Sequence, residues 1–376
     1  MGNRLDTLDF IVFAIYFIVL ISIAFWVSRK PKDHRRSAED YFLAGRSLPW
    51  WIIGASLIAS NISTEQIIGM NGTAFESGIA VISYSLIGAA ITILLVGKFF
   101  LPKFLATKIY SMPEFLEKRY GKRVSTSMSV FWILVYVLVN LTSVLSLGAI
   151  TLKAVVGIPI LYSSEITARD QAFPVLIQKL LPAGYSGLVI AALIAAIISS
   201  LNSMCNSVAT IFTMDIYRHF FKKQVTQRNM VLVGRIVTAS ALLIAVLVTP
   251  GIARMGRLFA FIQEYTGFVT PGVLVIFLLG MFWKKASENA ALTAVLLTIP
   301  VSVVLKVTLP DVAFLNRMTI TFLILLTISF FIAFSSKKKH PVPVKKEVPV
   351  KSSSLLFNVG SLIVTALIAA FYLIFW

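Results

Sequence analysis

The chain has 376 residues, of which 58% are apolar and only 13% charged, against roughly 25% charged in soluble domains. That balance excludes a soluble globular domain, and at about 20 residues per membrane helix the length admits roughly ten spans with short loops. The net charge of +18 does not point to nucleic acid, because the basic residues sort by membrane side along the chain.

Apolar runs fall at 10–28, 49–74, 79–101, 126–150, 186–214, 230–250, 258–282, 287–308, 312–334 and 355–376. They predict an all-α polytopic membrane protein with about ten transmembrane helices. The first run has Asp6 and Asp9 ahead of it and leads into Arg29-Lys30-Pro31-Lys32 without a small-residue cleavage site. It therefore reads as a retained anchor and not as a cleavable signal.

The second span contains Asn61-Ile62-Ser63-Thr64-Glu65-Gln66, five polar side chains in six residues, with Gly54, Gly69 and Gly72 around them. A regular helix with such a turn in lipid leaves donors and acceptors unsatisfied, so the segment is either buried in a bundle or broken to line a hydrated cavity. Broken helices near the midplane are where transporters place ligands, whereas packing alone needs fewer polar groups.

In the fifth span, Ala195-Ala196-Ile197-Ile198-Ser199-Ser200-Leu201-Asn202-Ser203 combines small residues with hydroxyls. Two readings are open at this point. The serines return their hydroxyls to the carbonyl one turn back, or the pair joins carbonyls of a broken neighbour in an oxygen cage for a hard cation such as sodium. The single cysteine, Cys205, lies in the same apolar run and offers no disulfide framework.

The seventh span carries Gln263 and Glu264 before Gly267 and Thr270-Pro271-Gly272. Glu264 is either a functional ionisable group or one held by a neighbouring Tyr or Arg. The linker at 335–354, with six lysines and three prolines, is either a solvated topology anchor or a ligand for anionic lipid.

The loops after odd-numbered spans, with Lys98 and Arg235, hold 26 of the 34 basic residues. The positive-inside rule then places both termini outside a cell membrane, plasma or bacterial inner. The three histidines lie far apart in basic loops, which excludes a histidine metal centre. With no phosphate loop, no Ser-His-Asp set and no catalytic carboxylate pair, an enzyme is not expected. A cation pore is excluded for want of a charged ring or a repeated carbonyl loop.

At these stretches the chain resembles the sodium/solute symporter family, of the sodium/galactose and sodium/glucose cotransporter type. The likeness is carried by Glu39 through Trp51, Gly54 through Gly69, Ala195 through Tyr217 with Thr213-Met214-Asp215-Ile216-Tyr217, and Gln263 through Phe282. It implies a leucine-transporter-like fold of two inverted five-helix repeats. On that pattern residues 1–163 hold an extra anchor helix and core helices one to three, 164–282 hold core helices eight to ten, and 283–376 hold three peripheral helices. The likeness jumps near Ser163 and Ser164, so core helices four to seven are expected to be absent. An even number lost leaves the downstream orientation unchanged.

The resemblance further implies a sodium ion held at Ala59, Ile62, Ala196, Ser199 and Ser200. It implies solute contacts at Gln66 and Gln263, and gate positions at Met70, Tyr84 and Phe259. The family's glutamate position is occupied here by Ser85, and a nearby serine position by Gly88. Two functions follow: sodium-coupled symport of a sugar-like small solute across the lipid bilayer, or a truncated, transport-incompetent protein, inert or associating with a full-length homologue.

Overall fold

The computed structural model describes residues 7–28, 49–107, 109, 111–156, 173, 180–182, 184–220, 226–253, 258–283, 285–335 and 354–375. The expected jump near Ser163 and most of the lysine linker lie outside the described residues. Every regular element among the described residues is helical, and eight helices are long and apolar enough to cross a membrane.

In chain order the elements are α1 (Thr7–Ser28), α2 (Trp50–Asn61) and α3 (Glu65–Met70, continued by Asn71–Ser77). A long helix α4 (Gly78–Leu105) and a short one, α5 (Met112–Tyr120), follow. The helix α6 runs without interruption through Lys122–Leu134, Val135–Leu141 and Thr142–Val156. Next come α7 (Tyr185–Ile211, extended by Phe212–Tyr217), α8 (Gln227–Ala253), α9 (Leu258–Thr266) and α10 (Thr270–Phe282). The last three are α11 (Glu288–Thr308), α12 (Phe314–Ser335) and α13 (Leu355–Phe375).

All ten predicted runs are helical in their described parts, but two are discontinuous. The second is interrupted between α2 and α3, where Ile62 turns to extended backbone (φ −75°, ψ 101°). The seventh is interrupted by a turn between α9 and α10. Thr298 of α11 bridges the start of that second half: its hydroxyl donates to the Phe268 carbonyl oxygen at 2.9 Å and accepts from the Gly272 N–H at 3.1 Å. A side-chain hydroxyl thus satisfies backbone groups that the interrupted helix leaves open.

The described residues form two compact units. One draws on 1–76 and 129–266, the other on 77–128 and 267–376. The first holds α1 to α3, most of α6, and α7 to α9. Its two apolar clusters are Ile68, Leu147, Leu193, Ile252, Leu258 and Ile262, and Val137, Leu141, Cys205, Val208, Ala241 and Ala245. The lone cysteine is thus a core residue, as small apolar side chains often are.

In the second unit α5 clamps α10. Arg119, only 7% exposed, donates from Nε to the Gly280 carbonyl at 2.9 Å and from Nη2 to that of Trp283 at 3.0 Å. Its Nη1 reaches the Ala286 carbonyl at 3.4 Å. A guanidinium at a helix C-terminus meets carbonyls that have no helical donor, and the dipole there favours the cation. Tyr120 adds a bond from its hydroxyl to the Ile276 carbonyl at 2.8 Å. Gly280 leaves room for that ring, since a β-carbon there would lie 3.0 Å from the Tyr120 oxygen.

Candidate ion and solute site

The break in the second span has a local cause. Ser63 donates its backbone N–H to Gln66 Oε1 at 3.0 Å and its hydroxyl to the same oxygen at 2.5 Å, while Ser63 Oγ accepts from the Glu65 N–H at 3.1 Å. This is a capping-box arrangement, Ser-x-x-Gln, that starts a new helix at α3. In a continuous helix the Ser63 N–H would go to the Ala59 carbonyl. Diverting it to Gln66 releases that carbonyl at the end of α2.

The released oxygen is met by α7. Ser199 Oγ donates to the Ala59 carbonyl at 3.0 Å, and Ser60 Oγ lies 3.0 Å from Ser203 Oγ. Farther along α7 the hydroxyls return to their own helix: Ser203 donates to the Ser199 carbonyl and Ser207 to that of Ser203, each at 3.0 Å. Ser200 does neither. It is 0% exposed and its hydroxyl has no hydrogen-bond partner.

The turn-back reading of the serines therefore holds for Ser203 and Ser207 and fails at the two positions expected to face an ion. Ala196, one turn before Ser200, is also buried, and Ile62 sits in the break itself. A released carbonyl, a hydroxyl beside it and an unpartnered buried hydroxyl next along the chain are neutral oxygens, which suit sodium. Among the described residues no group of three His, Cys, Asp or Glu comes together to hold a metal.

The expected solute and gate positions divide between the two units. Gln66 and Met70 lie on α3, and Phe259 and Gln263 on α9, which packs against it. The approach is close at Gly69, where a β-carbon would stand 3.0 Å from Phe259 Cβ and 3.6 Å from Leu147 Cδ1. Phe259 is 3% exposed, while Met70, Gln66 and Gln263 are half-buried. Gln66 spends its oxygen on Ser63, which leaves its amide nitrogen as the group that can face a solute. Tyr84 and Ser85 belong to the second unit, where the Tyr84 ring stacks on Phe314 at 6.2 Å.

Two polar atoms that the sequence reading did not single out lie on α6. Asn140 Oδ1 and Ser143 Oγ are buried with no hydrogen-bond partner. They share the helical face of Leu147, at i, i+3 and i+7, and Leu147 packs on Ile68 and Ile262. Their signal in the sequence was an amide and a hydroxyl inside the apolar run 126–150. A buried polar atom without a partner costs about 1–3 kcal/mol, so these two atoms stand out on the face of α6 that carries Leu147.

A family model, the sodium:solute symporter family, matches residues 41–164 and 158–298. A sodium/glucose cotransporter of Vibrio parahaemolyticus is 32% identical over 542 aligned positions, covering 100% of this chain and 99% of the relative. A sodium/myo-inositol cotransporter of Homo sapiens is 24% identical over 77% of this chain and 66% of its own length. Among solved structures, a substrate-bound, outward-open Na+-coupled sialic acid symporter shares the fold at a TM-score of 0.73. Its sequence identity is 18%, covering 88% of this chain and 98% of that one. These relatives are sodium-coupled transporters and not enzymes. This chain belongs to the sodium:solute symporter family, whose members move solutes across membranes together with sodium.

Proposed function

We propose that this protein couples sodium to the movement of a sugar-like small solute. Sodium is held at Ala59, Ile62, Ala196, Ser199 and Ser200, and in the first unit the solute is held by Gln66 and Gln263, with Met70 and Phe259 as gate positions. One observation carries the reading: the Ser200 hydroxyl is wholly buried and unpartnered, beside a serine that bonds a carbonyl released by a broken helix. The sugar class rests on relatives named for glucose and myo-inositol. Coupling follows from linkage, since an ion that favours the solute-competent state raises solute affinity by the same factor.

The chain lies across a cell membrane with both termini outside in this reading. Core helices resembling one to three precede residue 163, core helices resembling eight to ten follow to 282, and three peripheral helices close the chain. Purified protein in liposomes should take up labelled sugar under an inward sodium gradient. Uptake no greater than in empty vesicles would overturn active symport by the chain alone.

A second reading is favoured by the family match, which falls in two segments meeting at 158–164, and by an alignment of 542 positions to a chain of 376. Helices four to seven are absent in this reading. Alternating access needs one bundle to move against the other around a shared site, and loss of helices from both repeats leaves those moving parts incomplete, so the chain is inert or pairs with a full-length homologue. Co-purification with a longer relative supports the pairing form, and robust uptake by the chain alone excludes both forms. Sequencing the coding DNA across codons 163 and 164 shows whether the gap is encoded.

A further inference from the structure

We propose that Asp9 is a positioning residue for sodium binding: its carboxylate bolts α1 to the N-terminal end of α7 and so sets where Ser199 and Ser200 stand. The inference rests on the sodium reading above. Asp9 is 4% exposed, and a buried carboxylate is tolerated only where charge and hydrogen bonds compensate it. Here one oxygen, Oδ1, accepts from the backbone N–H of Gly184 at 2.7 Å and of Gly187 at 2.8 Å. These N–H groups belong to the N-cap and the first turn of α7, where the helix dipole favours an anion.

The cap comes from a helix 175 residues earlier because α7 cannot cap itself. Its N-cap residue, Gly184, has no side chain and a φ of +88°. Nor can the two helices separate without loss. A β-carbon on Gly187 would collide with the Asp9 backbone, 2.7 Å from its Cα, and one on Gly184 would collide with the Leu8 side chain. Two glycines thus let α1 approach α7, and one carboxylate locks the contact.

What is locked is the register of the ion-bearing helix. From Gly187 to Ser200, α7 continues as one helix without proline, a run of about 20 Å. A slip or rotation at the capped end therefore reaches the serines. Ion and ligand sites lose function when their groups move by more than about 0.5 Å. On this account α1 is part of the sodium machinery, where a family-based reading makes it an extra anchor.

The test compares the full chain with Asp9→Ala, Asp9→Asn and Gly187→Ala in detergent, following thermal unfolding while sodium replaces potassium at constant ionic strength. Wild type should gain stability with sodium. Asp9→Ala and Gly187→Ala should raise the sodium concentration for half of that gain by about fivefold or more, since groups that orient an ion's ligands commonly cost about tenfold in affinity when lost. Asp9→Asn, which keeps an acceptor oxygen, should stay within about twofold.

If Asp9→Ala is not recovered folded, Gly187→Ala carries the test with the same expectation. Variants that unfold earlier in potassium but keep the wild-type sodium half-point would overturn the proposal and leave Asp9 a stabilising cap. A wild-type chain without a sodium-specific gain overturns the sodium reading and this proposal with it. The two failures are therefore distinguishable.

Discussion

The Ser199 hydroxyl donates to the Ala59 carbonyl oxygen at 3.0 Å across 140 residues of sequence. The bond joins a helix that has lost its own donor to a helix whose next hydroxyl, on Ser200, has no partner. Ser200→Ala removes an unpartnered buried hydroxyl, so the sodium-free protein should unfold at the same temperature or slightly higher. Sodium should then stabilise it at least about tenfold less effectively, the worth of one hydrogen-bonding contact to a charge. Thermal unfolding in sodium and in potassium measures both effects.

Gln66 separates two roles in one side chain, because its oxygen caps α3 through Ser63 and its nitrogen remains for other partners. Gln66→Ala and Ser63→Ala should each cost about 1 kcal/mol of stability by opening the capping box. Gln66→Glu keeps the acceptor and removes the amide donor. It should keep the capping box, unfold at a somewhat lower temperature because a half-buried charge is added beside Glu65, and weaken solute binding, measured by equilibrium dialysis with labelled sugar.

The contact of α3 with α9 depends on Gly69, whose position leaves a β-carbon only 3.0 Å from Phe259 Cβ. Gly69→Ala must push the two elements apart by a few tenths of an ångström, and overpacking of this kind costs about 1–3 kcal/mol. Gly54 has nothing within 4 Å of its β-carbon position, so Gly54→Ala should be neutral or stabilising. Paired thermal unfolding of the two variants checks the contrast.

Arg119 and Tyr120 hold the end of α10 without a carboxylate. Arg119→Ala should cost about 3 kcal/mol, comparable to breaking a buried ionic contact. Arg119→Lys should recover only part of that loss, because an ammonium cannot span three carbonyls in the guanidinium's planar geometry.

Burial pushes the Tyr120 phenol above its ordinary value, with the Arg119 charge pulling the other way. A group raised on folding contributes stability in full below its unfolded pKa of about 10 and loses it as pH climbs toward the folded value. Stability should therefore fall above about pH 10. Tyr120→Phe should flatten that alkaline loss while giving up the bond to Ile276, about 1 kcal/mol.

Local chemistry alone determined a good deal of this protein. The ten apolar runs, the polar turn in the second span and the serine pair in the fifth were legible because hydropathy and unsatisfied polar groups are properties of a short stretch, whereas the choice between a buried turn and a broken helix was not. The Ser63-x-x-Gln66 cap is equally local, but in sequence both residues read first as polar groups in lipid, and their pairing as a helix start emerges from the bonds of Ser63 to Gln66. Tertiary structure decided which partner each polar group takes. Ser203 turns back to its own helix while Ser199 does not, Asp9 caps a helix 175 residues away, and Arg119 finds carbonyls more than 160 residues on. The physical reason is the same in each case: a hydrogen bond needs an acceptor within about 3 Å, and which acceptor lies there is settled by how helices distant in sequence pack.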